Sequence, residues 1–295
     1  MVVRIATGPV DPCTLDDCMQ ALDRSGFDPD DAGSVAHAAH WLARLAANRD
    51  FLANIAIAEL RQGCRRPGGQ GYTPQVIMLG EARPGWFLRA NIWPSRQEAV
   101  LRASGEAAFV YGLAHDHNFD FLTIGYHGPG YVSDHYEVDP ENVTGVVGER
   151  VALHFKGRAR LSQGAVMHYR ARRDVHCQHP PESLSVSINL MHSAPQQRWT
   201  DQFRYDLETR TITHVLTGCT GDTLARVALA LDRDHARAAL HEMADVHPQP
   251  RLRRSAIRAL ALDAPDAASR DSLLDLHADG SCGWLARRLA QPISD

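Results

Sequence analysis

His115-Asp116-His117 is the part of this sequence best equipped to do chemistry. Two histidines two residues apart on a β-strand project from the same face. A third imidazole from a later strand would complete a facial three-nitrogen site for a divalent metal, leaving positions open for substrate or oxygen. Candidates for that third place are His176 and His179, in the run Asp174-Val175-His176-Cys177-Gln178-His179. Nine of the sixteen histidines lie between Tyr111 and His192. A purely structural pair would need other partners for two adjacent inward imidazoles, which is costly. Asp120, three residues after His117, is a candidate fourth ligand or a partner that orients an imidazole. Cys177 would face away from His176 on an extended strand and reads as structural. His127, His135, His154, His168 and His192 read as surface residues or outer supports. His37 and His40 read as a partly solvated helix face.

The elements that must position these groups follow from periodicity and turn chemistry. Residues 1–13 read as irregular. Thr14 can cap a short helix over Leu15–Arg24, with Asp16 and Asp17 in its first turn. Further helices are expected over Ser34–Ala47 and Asp50–Gly63, followed by a Gly- and Pro-rich break at Arg65–Tyr72. Short runs rich in β-formers follow at Gln75–Leu79 and Trp86–Trp93, and Phe87, Arg89, Asn91 and Trp93 share one face of the second. Strands are then expected at Phe109–His117, Phe121–Tyr126, Tyr131–Val138, Arg150–Phe155, Val166–Arg170 and Ser183–Leu190, with one more pair within Asp206–Val215. Short strands at roughly ten-residue spacing indicate an antiparallel sandwich or barrel. After Gly221 the period turns helical, with segments at Leu224–Leu231, His235–Val246, Arg251–Leu262, Ser269–His277 and a short one at Trp284–Leu289. The division expected is a helical segment at 1–70, a β-barrel with the metal site at 71–220, and a helical region at 221–295.

Composition narrows the function classes. The 295 residues carry a net charge of −4, which gives no electrostatic case for nucleic acid. Lys156 is the single lysine. The six cysteines are scattered without a CxxC, so neither a disulfide framework nor a thiolate zinc site is indicated. No run is long and apolar enough for a membrane span, and no signal core opens the chain, so a cytoplasmic protein is expected. GxSxG, P-loop and GxGxxG motifs are absent.

The run FLRANIWPS…HDHNFDFLTIGYHGPGYVSDHYEVD…VMHYRARRDVHCQHPPESLSVSINLM resembles the cysteine dioxygenase branch of the cupin superfamily. The likeness covers about 110 residues: an HxH, a strand and Gly-containing turn, a lone downstream His, and a final SxSxNxM strand. It implies a cupin double-stranded β-helix barrel and omits the C-terminal helices; with the helices that periodicity places at both ends, the fold expected is mainly β with helices at both ends. It further implies Fe(II) held by His115, His117 and His176, with dioxygen and a small substrate in the open positions. Arg89 occupies the place from which an Arg of this branch grips the substrate carboxylate, a task its fork suits. The sequence also departs from the branch. Thiol dioxygenases alternate Ser, His and Tyr along the last strand, where this chain has Ser187, Asn189 and Met191. The crosslinking cysteine has no counterpart near Phe121 and Leu122, and the usual cupin glutamate after the HxH is missing.

Three function classes follow. The first is an iron-dependent oxygenase acting with O2 on a small, carboxylate-bearing, amino-acid-like molecule. Its ligands are His115, His117 and His176, its anchor is Arg89, and Tyr111, Tyr126 and Tyr169 are candidate donors, with Tyr111 foremost. The second is a non-catalytic metal- or ligand-sensing cupin whose C-terminal helices contact a protein partner or a second copy. The segment His247–Leu260 resembles the start of a HEAT-type repeat, which implies such a surface. The third is a redox-inert isomerase or lyase using zinc, nickel or manganese.

Overall fold

The computed structural model describes residues 2–61, 63, 75–143, 145–195, 197, 200–217 and 221–277. The break at 65–72, the helix expected at 284–289, and Cys64, Cys219 and Cys282 lie outside them. The chain begins with β1 (Val3–Ile5), then α1 (Leu15–Ser25), α2 (Ala32–Ala47) and α3 (Phe51–Arg61). The β region comprises β2 (Val76–Met78), β3 (Trp86–Trp93), α4 (Ala99–Ser104), β4 (Ala114–His115), β5 (Phe121–His127) and β6 (Val132–Glu137). It continues with β7 (His154–Arg160), β8 (Val166–Tyr169), β9 (Asp174–His179), β10 (Ser185–His192), β11 (Phe203–Asp206) and β12 (Thr211–Val215). The last described elements are α5 (Gly221–Leu231), α6 (Arg233–Val246), α7 (Pro250–Leu262) and α8 (Ala267–Leu276).

The strands form two antiparallel sheets. Sheet one runs β1-β8-β5-β10-β3-β2 and sheet two runs β12-β11-β4-β9-β6-β7. Within them, β3 to β10 switch sheets at every step except the β6–β7 hairpin, the two-Greek-key order of a jelly roll, the double-sheet architecture that cupins share. One close approach fixes β5 of sheet one against the turn after β7. Gly125 on β5 passes under the turn after β7, donating to the Ala165 carbonyl at 3.1 Å. A Cβ at Gly125 would overlap the Ser162 carbonyl, so the site accepts no side chain.

Sheet one has two working faces. Its outer face carries Trp86, Leu88, Ala90, Leu122, Ile124, Ile188 and Leu190, which pack on α2 through Val35, Ala38, Ala39, Leu42, Leu45 and Ala46. That helical spacing gives α2 one apolar stripe, and its alanines let the backbone come close to the sheet. Asp31 starts the helix by accepting from the Gly33 and Ser34 amides. α1 begins with a full capping box between Thr14 and Asp17. The inner face carries Phe87, Arg89, Asn91 and Trp93 of β3, opposite His115, His176 and Gln178 of sheet two.

Three local expectations differ from the structure. Val3–Ile5 is not irregular: it pairs with β8 at the edge of sheet one, so the N-terminal segment contributes to the roll. The continuous strand expected at Phe109–His117 is broken. Glu106–Phe109 forms a 3-10 turn, Val110 is left-handed at φ 60° and Gly112 at φ 68°, and only Ala114–His115 is strand. The strand expected at Arg150–Phe155 lies later, at His154–Arg160. Val151 and Leu153 instead pack beneath sheet two, and the strand is a charged edge with Lys156, Arg158 and Arg160. The C-terminal helices bury their own cluster, including Leu240, Ala256, Ile257, Leu260 and Leu274. Gln249 and Arg251 of α7 tie them to the roll through Asp201.

Candidate metal centre

β9 lies between β4 and β6 in sheet two, and His115 pairs directly with His176 across the ladder. Both side chains therefore project inward from neighbouring strands. His117, two residues beyond His115, turns in from the same side. The Nε2 atoms of the three converge: His117 to His176 at 3.1 Å and His176 to His115 at 3.2 Å. Nitrogens each about 2.1 Å from one ion and at right angles around it lie about 3.0 Å apart. Among the described residues, this is the one cluster of potential ligands gathered tightly enough to hold a metal.

The protonation states suit a metal as well. Burial lowers the His115 pKa, and burial together with the neighbouring imidazoles holds His117 and His176 well below the usual histidine range. All three are neutral at pH 7. His115 Nδ1 lies 2.8 Å from the Leu113 carbonyl and His117 Nδ1 lies 3.0 Å from Gln202 Oε1. Each acceptor places the proton on Nδ1 and leaves the Nε2 lone pair for a metal. At His176 the partner is Gln178, whose amide nitrogen lies 3.3 Å from Nδ1 while its Oε1 is buried without a partner. A metal on His176 Nε2 requires a proton on Nδ1, and rotation of the Gln178 amide would present Oε1 to it. The residues present therefore fit a divalent ion bound by three imidazoles.

Aromatic rings hold the imidazoles in place. Tyr169 stacks on Phe121 with centroids 4.6 Å apart and sits 4.8 Å from the His176 ring. His117 lies 4.7 Å from Phe119 and 5.1 Å from Phe121. Asp116, between the two histidines, points the other way. Its carboxylate accepts from the Phe203 amide at 2.6 Å and the Tyr205 hydroxyl at 2.9 Å, and burial pushes its pKa up to about 6. It pins β4 to β11.

Above the triad is a cavity of about 160 Å³, lined also by Arg89, Asn91, Trp93, Tyr131 and Asn189. That is room for about five waters, taking about 30 Å³ each. None of the described lining residues is a carboxylate. Arg89 Nε is buried without a partner, and burial brings the Arg89 pKa down to about 10, so it remains a cation at pH 7. Asn91 Oδ1 is also buried and unpartnered. Asn189 is held from behind by the Thr123 and Ser187 hydroxyls, at 2.8 Å and 3.1 Å. Val110, left-handed and β-branched, lines the same cavity, a strain of about 1–3 kcal/mol stored at the site.

The other sequence candidates sit elsewhere. Tyr111 is not a cavity residue: its hydroxyl donates to the Pro94 carbonyl at 3.0 Å, and its ring stacks on Phe109. Tyr131 supplies the phenol on the cavity wall, kept protonated by burial. The Tyr126 hydroxyl faces the Asn48 and Arg49 carbonyls near α2. Asp120 is outside the triad and accepts from the Ala171 amide at 3.1 Å. His179 pairs with Asp134 at 2.8 Å, away from the triad. Cys177 is buried on the far face of sheet two. His135 and His168 are buried, not surface residues, and His135 Nε2 meets the Tyr169 hydroxyl at 2.9 Å. Gln178 was detectable from sequence, because it lies two residues from His176 on one strand. Gln202 had no local signal: it meets His117 only through the fold.

No protein-family model matches the chain, nor does any curated protein sequence. Among solved structures, it is similar to a hydroquinone 1,2-dioxygenase from Sphingomonas sp. TTNP3 with 4-hydroxybenzoate bound. The identity is 7%, over 42% of this chain and 69% of that one, with a TM-score of 0.27. The hydroquinone 1,2-dioxygenase PnpCD, in complex with Cd2+ and 4-hydroxybenzonitrile, is 12% identical over 43% and 68%, with a TM-score of 0.26. The DMSP lyase DddQ from Ruegeria pomeroyi is 10% identical over 68% and 81%, with a TM-score of 0.28. At this level of likeness none of these activities transfers to the chain, and the geometry of the site carries the functional reading.

Proposed function

We propose that this chain is a mononuclear non-haem Fe(II) oxygenase, acting with O2 on a small, carboxylate-bearing, amino-acid-like molecule. One observation carries the proposal: three convergent neutral imidazoles open onto a small cavity whose only described cation is Arg89. An Fe(II) ion on His115, His117 and His176 would supply the redox chemistry and keep its full double positive charge, which favours an anionic substrate. The resemblance to the cysteine dioxygenase branch favours iron over zinc, nickel or manganese. Arg89 would bind the carboxylate through its planar fork. The unpartnered Asn91 carbonyl would accept from an ammonium or hydroxyl on the same molecule. Ser187, Asn189 and Met191 on β10 supply no His or Tyr, so a substrate other than a simple thiol is favoured. The barrel at 71–220 would carry the chemistry, with the helices at 1–70 as its buttress.

The test is metal analysis of anaerobically purified protein beside His176→Ala, followed by oxygen uptake with a panel of small amino and hydroxy acids. Near-stoichiometric iron, lost in the variant, with substrate-dependent uptake lost in Arg89→Leu, is the expected result. Zinc or nickel in place of iron, with no uptake, would move the chain to the non-redox class.

A metal- or ligand-sensing module is the second reading. Leu224, Leu231, Leu262 and Leu276 on the C-terminal helices are exposed, which suits a HEAT-like surface for a protein partner or second copy. Metal and ligand binding without any oxygen uptake would favour it.

A further inference from the structure

The segment just before β11 is gripped from two sides. From inside the roll, the Asn118 side-chain amide donates to the Gln197 and Thr200 carbonyls, both at 2.8 Å, and His117 Nδ1 meets Gln202 Oε1 at 3.0 Å. From the C-terminal helices, Arg251 of α7 pairs with Asp201 Oδ2 at 2.6 Å, and Gln249 donates to Asp201 Oδ1 at 3.2 Å. Asp201 and Gln249 are both buried. Thr217 bridges the two grips: its hydroxyl donates to Asp201 Oδ1 at 2.8 Å and accepts from the Gln202 amide at 3.3 Å.

The pair joins half-buried Arg251 to buried Asp201, a demanding contact, because losing the arginine leaves the carboxylate desolvated. Here that contact spans the junction between the helices and the roll. The residue it fixes, Asp201, is bonded directly to the residue that sets the tautomer of His117. Acceptors at this position orient a ligating imidazole and raise its basicity.

We infer that Gln202 is a positioning residue for His117, and that the Arg251–Asp201 pair makes metal affinity depend on docking of α7. This rests on the three-imidazole metal reading. The coupling runs both ways, so metal binding also tightens the α7 junction. No group is made or broken: the link works through the placement of one acceptor oxygen.

The experiment is a Co(II) titration of the full chain followed by visible absorption, with thermal unfolding of each metal-free variant as control. Gln202→Ala is expected to weaken Co(II) binding roughly 10- to 100-fold and to shift the ligand-field bands. Gln202→Glu keeps an acceptor and is expected to restore both. Arg251→Met is expected to weaken Co(II) binding at least about 5-fold although it lies outside the site. Thr217→Val, a near-isosteric change, gives a smaller loss in the same direction should Arg251→Met fail to fold. Amide exchange in α7 is expected to slow on adding Co(II) to wild type and to remain unchanged in Gln202→Ala.

Wild-type Co(II) affinity in Gln202→Ala would overturn the inference and leave the metal reading intact. So would wild-type affinity in both Arg251→Met and Thr217→Val. Failure of the wild-type chain to bind Co(II) would remove the metal reading itself, and the inference with it.

Discussion

The outer and inner faces of sheet one come from the same strands and do opposite things. On β3, Trp86, Leu88 and Ala90 point outward into the apolar layer under α2, while Arg89 and Asn91 point inward to the triad. On β10, Ile188 and Leu190 face out, while Ser187 and Asn189 face in. The outer layer is close-packed and apolar. The inner layer holds an unpartnered Arg89 Nε and an unpartnered Asn91 Oδ1. Period-two alternation thus separates stability from chemistry on one sheet. The outer face must supply the free energy that the inner face leaves unspent.

The sharpest break in that comparison is His176→Ala. It is expected to remove bound metal almost completely, beyond the roughly 100-fold that loss of an outer-shell partner causes. Cooperative unfolding of the metal-free chain should survive, because the residue borders an existing cavity. Metal analysis beside calorimetry checks both halves. Leu190→Ala, on the outer face of sheet one, across the roll from His176, should do the reverse. It is expected to cost about 2–5 kcal/mol, with metal affinity of the folded protein unchanged. Denaturant unfolding with and without Co(II) separates these outcomes, and weakened metal binding in Leu190→Ala would show that the faces are not independent.

The two faces also differ in how far the sequence disclosed them. The inward set Phe87, Arg89, Asn91 and Trp93 follows from alternation alone, as does the shared face of His115 and His117. Local pattern also places the described helices of both ends to within a few residues. Tyr111 leaves the expected face for a local reason: left-handed Val110 and Gly112 interrupt the alternation, so the phenol turns to Pro94 and Tyr131 takes the wall. β1 was missed because three residues at a sheet edge carry too little pattern to detect. Gln202 and the Arg251–Asp201 pair were invisible for a different reason. Their partners lie 85 and 50 residues away in sequence, and nothing in their neighbours marks them.

A third prediction sharpens the comparison through pH. His168 is buried on the outer side of β8, its Nε2 has no hydrogen-bond partner, and burial lowers its pKa below 6.5. Asp120 Oδ1, at 3.8 Å, is the nearest acidic atom, and Asp174 also favours the charged form, while Arg170 opposes it. Below pH 6.5 the unfolded chain takes up this proton and the folded chain does not. Stability should therefore fall as pH drops, by up to about 1.4 kcal/mol per pH unit from this group, and be level above 6.5. Burial raises the Asp120 pKa, which works in the opposite sense at lower pH. Unfolding curves of His168→Leu between pH 7 and 5 should have a shallower slope than wild type by up to that amount. An unchanged slope would mean that His168 takes up its proton as readily in the native state as in the unfolded chain.

The smallest effect is the most diagnostic, because adjacent residues on one strand should respond with opposite signs. Asn91 holds a buried acceptor with nothing to accept from, a cost of about 1–3 kcal/mol. Asn91→Leu removes that cost at similar volume and should stabilise the ligand-free protein by about 1 kcal/mol. Ala90 is fully buried against the α2 layer, so Ala90→Leu has no room and should destabilise by about 1–3 kcal/mol. If Asn91 is kept for a ligand's donor, the gain in stability must come with weaker binding of small amino or hydroxy acids to the metal-loaded chain. A stabilised Asn91→Leu that still binds those acids as wild type does would make the orphaned carbonyl a leftover of folding. A destabilised one would mean that the amide has a native partner.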